Sequence, residues 1–157
     1  MILAHLPAGY VLSRSVGAAR GHLLWVALFA SVLPDFDMFW FHLMDAGRIH
    51  HHRYWVHIPG FWLMIAAVAL PAVFYVKRAL FGAALIFFAS IFIHLILDSV
   101  GGGIMWLWPY DDRLISIVIV PATQSHWVLS FLLHWTFLAE LAILATAVGL
   151  FMTRARP

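Results

Sequence analysis

Ala79-Leu-Phe-Gly-Ala-Ala-Leu-Ile-Phe-Phe-Ala-Ser-Ile-Phe-Ile-His94-Leu-Ile-Leu-Asp98 carries no formally charged side chain before its final aspartate. A helix of this length rises about 30 Å, the thickness of a bilayer's hydrocarbon core, so the stretch predicts a membrane-spanning helix. Its end breaks the apolar pattern. His94 and Asp98 stand four residues apart, on one helix face and about one turn from each other, where both can reach one cation. Ionisable groups at the end of such a helix are costly to bury unless paired or holding a cation, which makes them functional candidates. A His–Asp hydrogen bond that only tethers the next loop would leave the same trace, so the remaining segments have to decide.

The whole chain shares this apolar character. Hydrophobic residues make up 64% of its 157 residues and charged residues 10%, with a mean hydropathy of +0.95, far from the balance of a soluble globule. The composition predicts an integral membrane protein. The isoelectric point near 9.4 reflects scarce acids rather than abundant bases, because the net charge is only +2; it gives no nucleic-acid footprint. Cysteine is absent, which excludes disulfides and thiolate metal sites and leaves His, Asp, Glu and water as ligands. The start, Met-Ile-Leu-Ala-His-Leu-Pro, lacks the basic region and cleavage site of a signal peptide, so the N-terminus is expected to be retained.

Outward from the opening stretch, the segments fall into order. Residues 2 to 19 are apolar but interrupted by His5, Pro7, Gly9, Arg14 and Gly17, and predict a short embedded or re-entrant helix. Residues 23 to 33 form a second helix that ends at Leu33-Pro34-Asp35-Phe36-Asp37, with both aspartates at or beyond its end. Residues 38 to 57 read as a connection rich in aromatic and histidine side chains. Residues 58 to 76 are a span with a kink expected at Pro71, Lys77-Arg78 a basic turn, 99 to 124 a Gly- and Trp-containing loop, and 126 to 151 the last span. The fold class predicted is an all-α integral membrane protein. It is a bundle of about four transmembrane helices plus the short N-terminal one, with residues 1–157 as a single membrane-embedded domain.

Charge orients the bundle. If Lys77-Arg78, Arg14, Arg20, Arg154 and Arg156 lie on the cytoplasmic side, the Pro34–Asp37 turn, the 38–57 connection and the 98–126 segment face outward. All acids except Glu140, and six of the eight tryptophans, then fall near the outer face.

Asp35, Asp37, His52, His57, His94 and Asp98 come from three separate segments, and this topology brings them to one membrane face. Imidazole and carboxylate ligands without sulfur suit zinc, with manganese or iron as alternatives. Two aspartates spaced i, i+2 can bridge a pair of ions, as hydrolytic two-metal sites require. Simpler readings exist for single members: Pro-Asp often forms only a turn, and His50 and His51 read as interfacial and solvated. Arg53 could hold a phosphate or snorkel to headgroups. His126 and His134, eight apart, share a face of the last predicted helix. Glu140, deep in that span, is expected to pair with Arg14 or Arg20. The Gly101–Gly103 run with Trp106 and Trp108 could act as a lid.

Leu33-Pro34-Asp35-Phe36-Asp37, then His52-Arg53-x-x-x-His57, then His94-x-x-x-Asp98 and Leu107-Trp108-Pro109, resembles the YdjM-like family of inner-membrane metal-dependent hydrolases over roughly residues 1 to 110. The resemblance implies a small multi-pass protein of the bacterial inner membrane with a hydrolase activity on a poorly defined substrate, and makes His5 a further ligand. That family commonly has a hydroxyl residue where this chain has Val56, which cannot orient a ligand through a side-chain hydrogen bond. More distantly, the pattern is similar to the zinc-dependent phospholipase C and single-strand nuclease superfamily, which implies phosphoester chemistry on lipid.

The combined expectation is a membrane-bound metal-dependent hydrolase that uses metal-activated water on a phosphoester or headgroup of a lipid, with its site facing outward. The metal ligands would be His5, Asp35, Asp37, His52, His57, His94 and Asp98, and the catalytic candidates Asp35, Asp98 and Arg53, with Arg113 a second option for neutralising phosphate charge. Zinc is the favoured metal, membrane lipid the partner, and nucleic acid is not expected. The alternative is a non-enzymatic membrane metal-binding, transport or regulatory protein; for a transport path to the inner face only His22, His134 and Glu140 are available.

Overall fold

The computed structural model describes residues 3–18 and 21–154. Within them the chain is helical, and strand-like pairing is confined to two isolated bridges, Val100 with Val118 and Ile104 with Ile115. The helices are α1 (His5–Ser15), α2 (His22–Val32), α3 (Asp37–Leu43), α4 (Pro59–Val76), α5 (Phe81–Asp98), α6 (Trp127–Leu132) and α7 (Thr136–Arg154). Among the described residues, three helices are long and apolar enough to cross a membrane, Pro59–Val76, Arg78–Asp98 and Thr136–Thr153; counting α2 and α3 as one bent span makes four. The all-α membrane bundle read from the sequence is the architecture observed, with the short helix α1 beside it. Arg20 and Arg156, two of the basic residues used to orient it, lie outside the described residues.

Helix α5 occupies the centre, touching α1, α2 and α4. Of its seven buried residues, Ser90, Ile91, His94, Leu95 and Asp98 recur at intervals of one, three and four, the single face of a helix. Ile91 and Leu95 are fully buried with Ala30 of α2, Trp62 and Ala66 of α4, and Ile104 of the following loop. Surfaces turned away from this core stay apolar and exposed, such as Leu63, Met64 and Val68 on α4 and Leu138, Phe151 and Met152 on α7, as lipid-facing side chains should be.

Helices in lipid gain little by hiding apolar surface from one another, so close approach depends on small side chains. The α1–α2 contact shows this. Ala8, Gly9 and Ser13 are buried on α1, and Ala27, Ala30 and Ser31 on α2. A Cβ at Gly9 would stand 2.6 Å from Ser31 Oγ and 2.9 Å from the Ala27 carbonyl; only glycine permits this spacing. The Ser13 and Ser31 hydroxyls donate back to the carbonyls of Tyr10 and Leu28, so the buried polar atoms are satisfied within their own helices.

Two boundaries differ from those expected from the sequence. Pro34 does not end the helical path: it starts a 3-10 turn, Pro34–Phe36, and the chain continues as α3 after a 50° bend. Proline has no N–H to lose at the first position of a turn, so it redirects a helix as readily as it stops one. Residues 38–43 of the predicted connection are therefore helical, and Asp37 opens that helix. The last predicted span is broken as well. Residues 133–135 separate α6 from α7, where His134 Nδ1 lies 2.9 Å from Thr136 Oγ1 and accepts from Thr136 N at 3.4 Å, capping the new helix. His126 caps α6 through Val128 N, so the two histidines serve two helices rather than one face. Helix α4, by contrast, runs continuously through Pro71.

Gly9→Ala is expected to lower the thermal midpoint of the detergent-purified protein, at a cost of about 1–3 kcal/mol. Gly82→Ala, whose methyl would meet nothing within 4 Å, should hold or raise it by up to about 1 kcal/mol. Thermal melts of both beside the parent check the contrast.

Candidate metal centre

Asp98, the last residue of α5, is 2% exposed and is surrounded by imidazole. Its Oδ1 lies 3.0 Å from His5 Nε2, and its Oδ2 lies 2.9 Å from His94 Nε2, 3.4 Å from His57 Nε2 and 3.6 Å from His52 Nε2. His94 Nε2 also stands 3.4 Å from His57 Nε2 and 3.7 Å from Asp35 Oδ1. His5, from α1, stacks on His94 with ring centroids 3.9 Å apart. Side chains from α1, α5, the turn after α2 and the 44–58 segment thus converge on one point.

The far edge of each ring explains the orientation. His94 Nδ1 is 2.8 Å from the Ser31 carbonyl and His52 Nδ1 is 2.8 Å from the Gly103 carbonyl. A carbonyl can only accept, so each Nδ1 carries the proton and, in the neutral ring, each Nε2 turns a lone pair inward. The Ser31 carbonyl is free to accept because it belongs to the last turn of α2, which has no intrahelical partner to offer. His57 Nδ1 donates to Asp37 Oδ2 at 2.7 Å. Burial opposes protonation of His57, but the hydrogen bonds to Asp37 and Asp98 outweigh it and raise its pKa to about 9. Burial holds His52 neutral, pushing it down to about 3, and His51 down to about 4.

The loop after Asp98, expected from the sequence to act as a lid, lines the site next to His52. Gly101 N donates to Val118 O, Gly102 N to Asp98 O, and Ile104 exchanges two backbone hydrogen bonds with Ile115. Trp106 Nε1 donates to Ser99 Oγ, and Ile104 and Met105 are buried. At Gly102 a Cβ would come 2.4 Å from His52 Cε1 and 2.9 Å from its Nδ1. The glycine lets backbone lie directly against the ring that Gly103 holds.

Of the ligands expected from the sequence, the structure brings His5, Asp35, His52, His57, His94 and Asp98 together, while Asp37 stands behind His57 rather than beside Asp35. Among the described residues, two groups have donor atoms within 4.8 Å of one another and could hold a metal ion: His5, Asp35, His94 and Asp98, and His51, His52 and His57. His51, read from the sequence as solvated, is half-buried against His52 and His57. Val56 contributes through its backbone, accepting from Trp62 Nε1 at 2.8 Å. Arg53 is exposed, with Nη1 3.7 Å from Asp112 Oδ2, whereas Arg113 is bound by both oxygens of Asp111. Glu140 accepts from Leu3 N at 3.2 Å with each oxygen; Arg14, nine residues further along α1 than His5, is about 14 Å up the helix and is not placed to share that contact.

The family model described as YdjM inner membrane protein matches residues 1–156. The chain belongs to that family. A YdjM-family assignment agrees with the apolar spans and puts the protein in the inner membrane. The chain is also 33% identical over 100 residues to the inner membrane protein YbcI of Escherichia coli (strain K12), an alignment covering 58% of this chain and 56% of that relative. The match thus spans little more than half of YbcI. No solved structure matches this YdjM-family chain.

Gly102→Ala is expected to push His52 off the Gly103 carbonyl and to destabilise the fold by about 1–3 kcal/mol. Histidine side-chain NMR shifts and a thermal melt, read beside the parent, check the displacement and its cost.

Proposed function

We propose that this chain is a membrane-bound metal-dependent hydrolase that cleaves a phosphoester, or another polar bond of the headgroup, in a membrane lipid. The observation that supports it is the way His52, His57 and His94 are held at Nδ1, by Gly103, Asp37 and Ser31, so that their Nε2 atoms face Asp98. Ligand histidines are oriented by hydrogen bonds of this kind from the opposite ring nitrogen. The spacing also fits. Donors at about 2.0–2.1 Å from a tetrahedral ion stand about 3.3–3.4 Å apart; His57 Nε2 is 3.4 Å from both His94 Nε2 and Asp98 Oδ2. Nitrogen and oxygen donors without sulfur favour zinc, with manganese or iron compatible.

A divalent cation held there supplies a Lewis acid for a phosphoryl oxygen and brings the pKa of water towards neutrality. Asp35 has the one accessible side chain of its cluster, 38% exposed against 6% or less for His5, His94 and Asp98. It stands on the way in, where its carboxylate can take a proton from attacking water. Asp98 and the three oriented rings keep the interior geometry fixed while substrate binds. Arg53, next to His52, is held only by a long contact to an exposed aspartate, so its guanidinium can turn to a phosphate. Arg113, bidentate with Asp111, is less available. Phe36, Phe39 and Trp40 are exposed beside Asp35, an apolar flank suited to acyl chains.

The site lies at the end of the bundle where α4 begins and α5 ends, opposite the Lys77–Arg78 turn. With that turn on the cytoplasmic side by the positive-inside rule, the site faces outward.

Elemental analysis of the detergent-purified protein should find a divalent transition metal, absent from a His94→Ala/Asp98→Ala double variant. Asp37→Asn, which weakens the hold on His57, should lower metal affinity about 10–100-fold. The parent should turn over phospholipid in mixed micelles without any gradient, and Asp98→Asn should lose that activity. Arg53→Gln should raise KM more than it lowers kcat. Full activity of Asp98→Asn, or no turnover by a metal-loaded parent across phospholipid headgroups, would sink the hydrolase reading.

A further inference from the structure

Building on the metal-centre reading and extending it to the number of ions, we propose that the centre takes two divalent cations. One sits among His5, Asp35, His94 and Asp98 and one among His51, His52 and His57, with the Asp98 carboxylate shared between them. Seven side chains offer donors in these two sets, and a zinc-type ion uses about four, so one ion cannot engage them all. The sets adjoin without merging. Within each, every donor lies within 4.8 Å of the others, and the contacts joining them are those of Asp98 Oδ2, 3.4 Å from His57 Nε2 and 3.6 Å from His52 Nε2, and of His94 Nε2, 3.4 Å from His57 Nε2. The other oxygen, Oδ1, faces His5 at 3.0 Å. Oδ2 also lies 2.9 Å from His94 Nε2, so this one oxygen meets donors of both sets and the carboxylate is placed to bridge them.

His51 is the added ligand. Its ring lies 4.1 Å, centroid to centroid, from His52 and 5.4 Å, edge-on, from His57. Its Nδ1 is buried and makes no hydrogen bond, and the Asp37 Oδ1 atom is 3.8 Å away, beyond hydrogen-bond reach. A buried ring nitrogen without a proton partner needs some other group to satisfy it, and a cation held jointly with His52 and His57, whose donor atoms lie within 4.8 Å of a His51 donor, would do so. The bridging task that the i, i+2 spacing suggested for Asp35 and Asp37 thereby passes to Asp98, since Asp37 Oδ2 is held by His57 Nδ1 on the outer side of that ring. Two ions would clamp a phosphoryl group from both sides, which a single ion cannot do.

The test is metal stoichiometry of the full chain in detergent after dialysis against Zn2+, and the electron paramagnetic resonance spectrum after dialysis against Mn2+. The parent should hold two equivalents and give an exchange-coupled manganese pair. His51→Ala, a change at a partly exposed residue, should fall to one equivalent with the spectrum of an isolated ion, and His51→Gln should do the same. His5→Ala, altering the other set, should also lose one. One equivalent in both parent and His51→Ala would overturn the two-ion proposal and leave the single-ion hydrolase reading standing. Two equivalents retained in His51→Ala would overturn the assignment of His51. No bound metal in the parent with either ion would overturn both readings together.

Discussion

A carboxylate that is 2% exposed at the end of the central helix is the constraint around which this molecule is arranged. Asp98 has four imidazole nitrogens within 3.6 Å, and a buried carboxylate facing ring nitrogens needs protons or a cation shared among them to be tolerated. His52, His57 and His94 present Nε2 because their Nδ1 is held elsewhere. That demand reaches into every neighbouring element: α2 must end so that the Ser31 carbonyl is free, α3 must begin with Asp37 behind His57, and the glycine loop must bring the Gly103 carbonyl over His52. The 50° bend at Pro34 serves this need, because a straight helix would have used the Ser31 carbonyl internally.

The membrane setting sets how these elements are held. Lipid offers no hydrophobic reward for bringing helices together, so the α1–α2–α5 contact relies on alanine, glycine and serine packing, and α1 is too short to span by itself. Its position has a second anchor at the other side, where the buried Glu140 of α7 accepts the Leu3 amide with both oxygens. His5 follows two residues later, so an apolar-looking final helix contributes to the geometry of a site it does not enter. Polar contacts of this kind are few here, and each one fixes a direction that apolar packing in lipid leaves loose.

Much of the fold was legible because bilayer thickness imposes a length and an apolar composition on any spanning helix. The two long spans around Lys77-Arg78 could be read almost to the residue for that reason. Breaks within helices were harder. Pro34 signals an interruption but not whether the chain stops or turns, and nothing in Leu133-His134-Trp135 marks the break between α6 and α7 except a histidine that can cap as well as line a core. Val56 showed a missing side-chain partner for His57, and the compensating partner, Asp37, lies twenty residues away.

His94, Asp98, the Pro-Asp turn, His52 and His57 were marked as candidates by the sequence itself, since ionisable groups in so apolar a chain are too costly to be incidental and their spacing along helices follows from local geometry. Which of them point inward, which stand behind, and that His51 joins them, depended on tertiary structure alone. The reason is physical: a ring's orientation is set by the carbonyl or carboxylate that meets its other nitrogen, and those acceptors are backbone atoms of Ser31 and Gly103 or side chains far away in the chain, invisible to any reading of residue type and spacing.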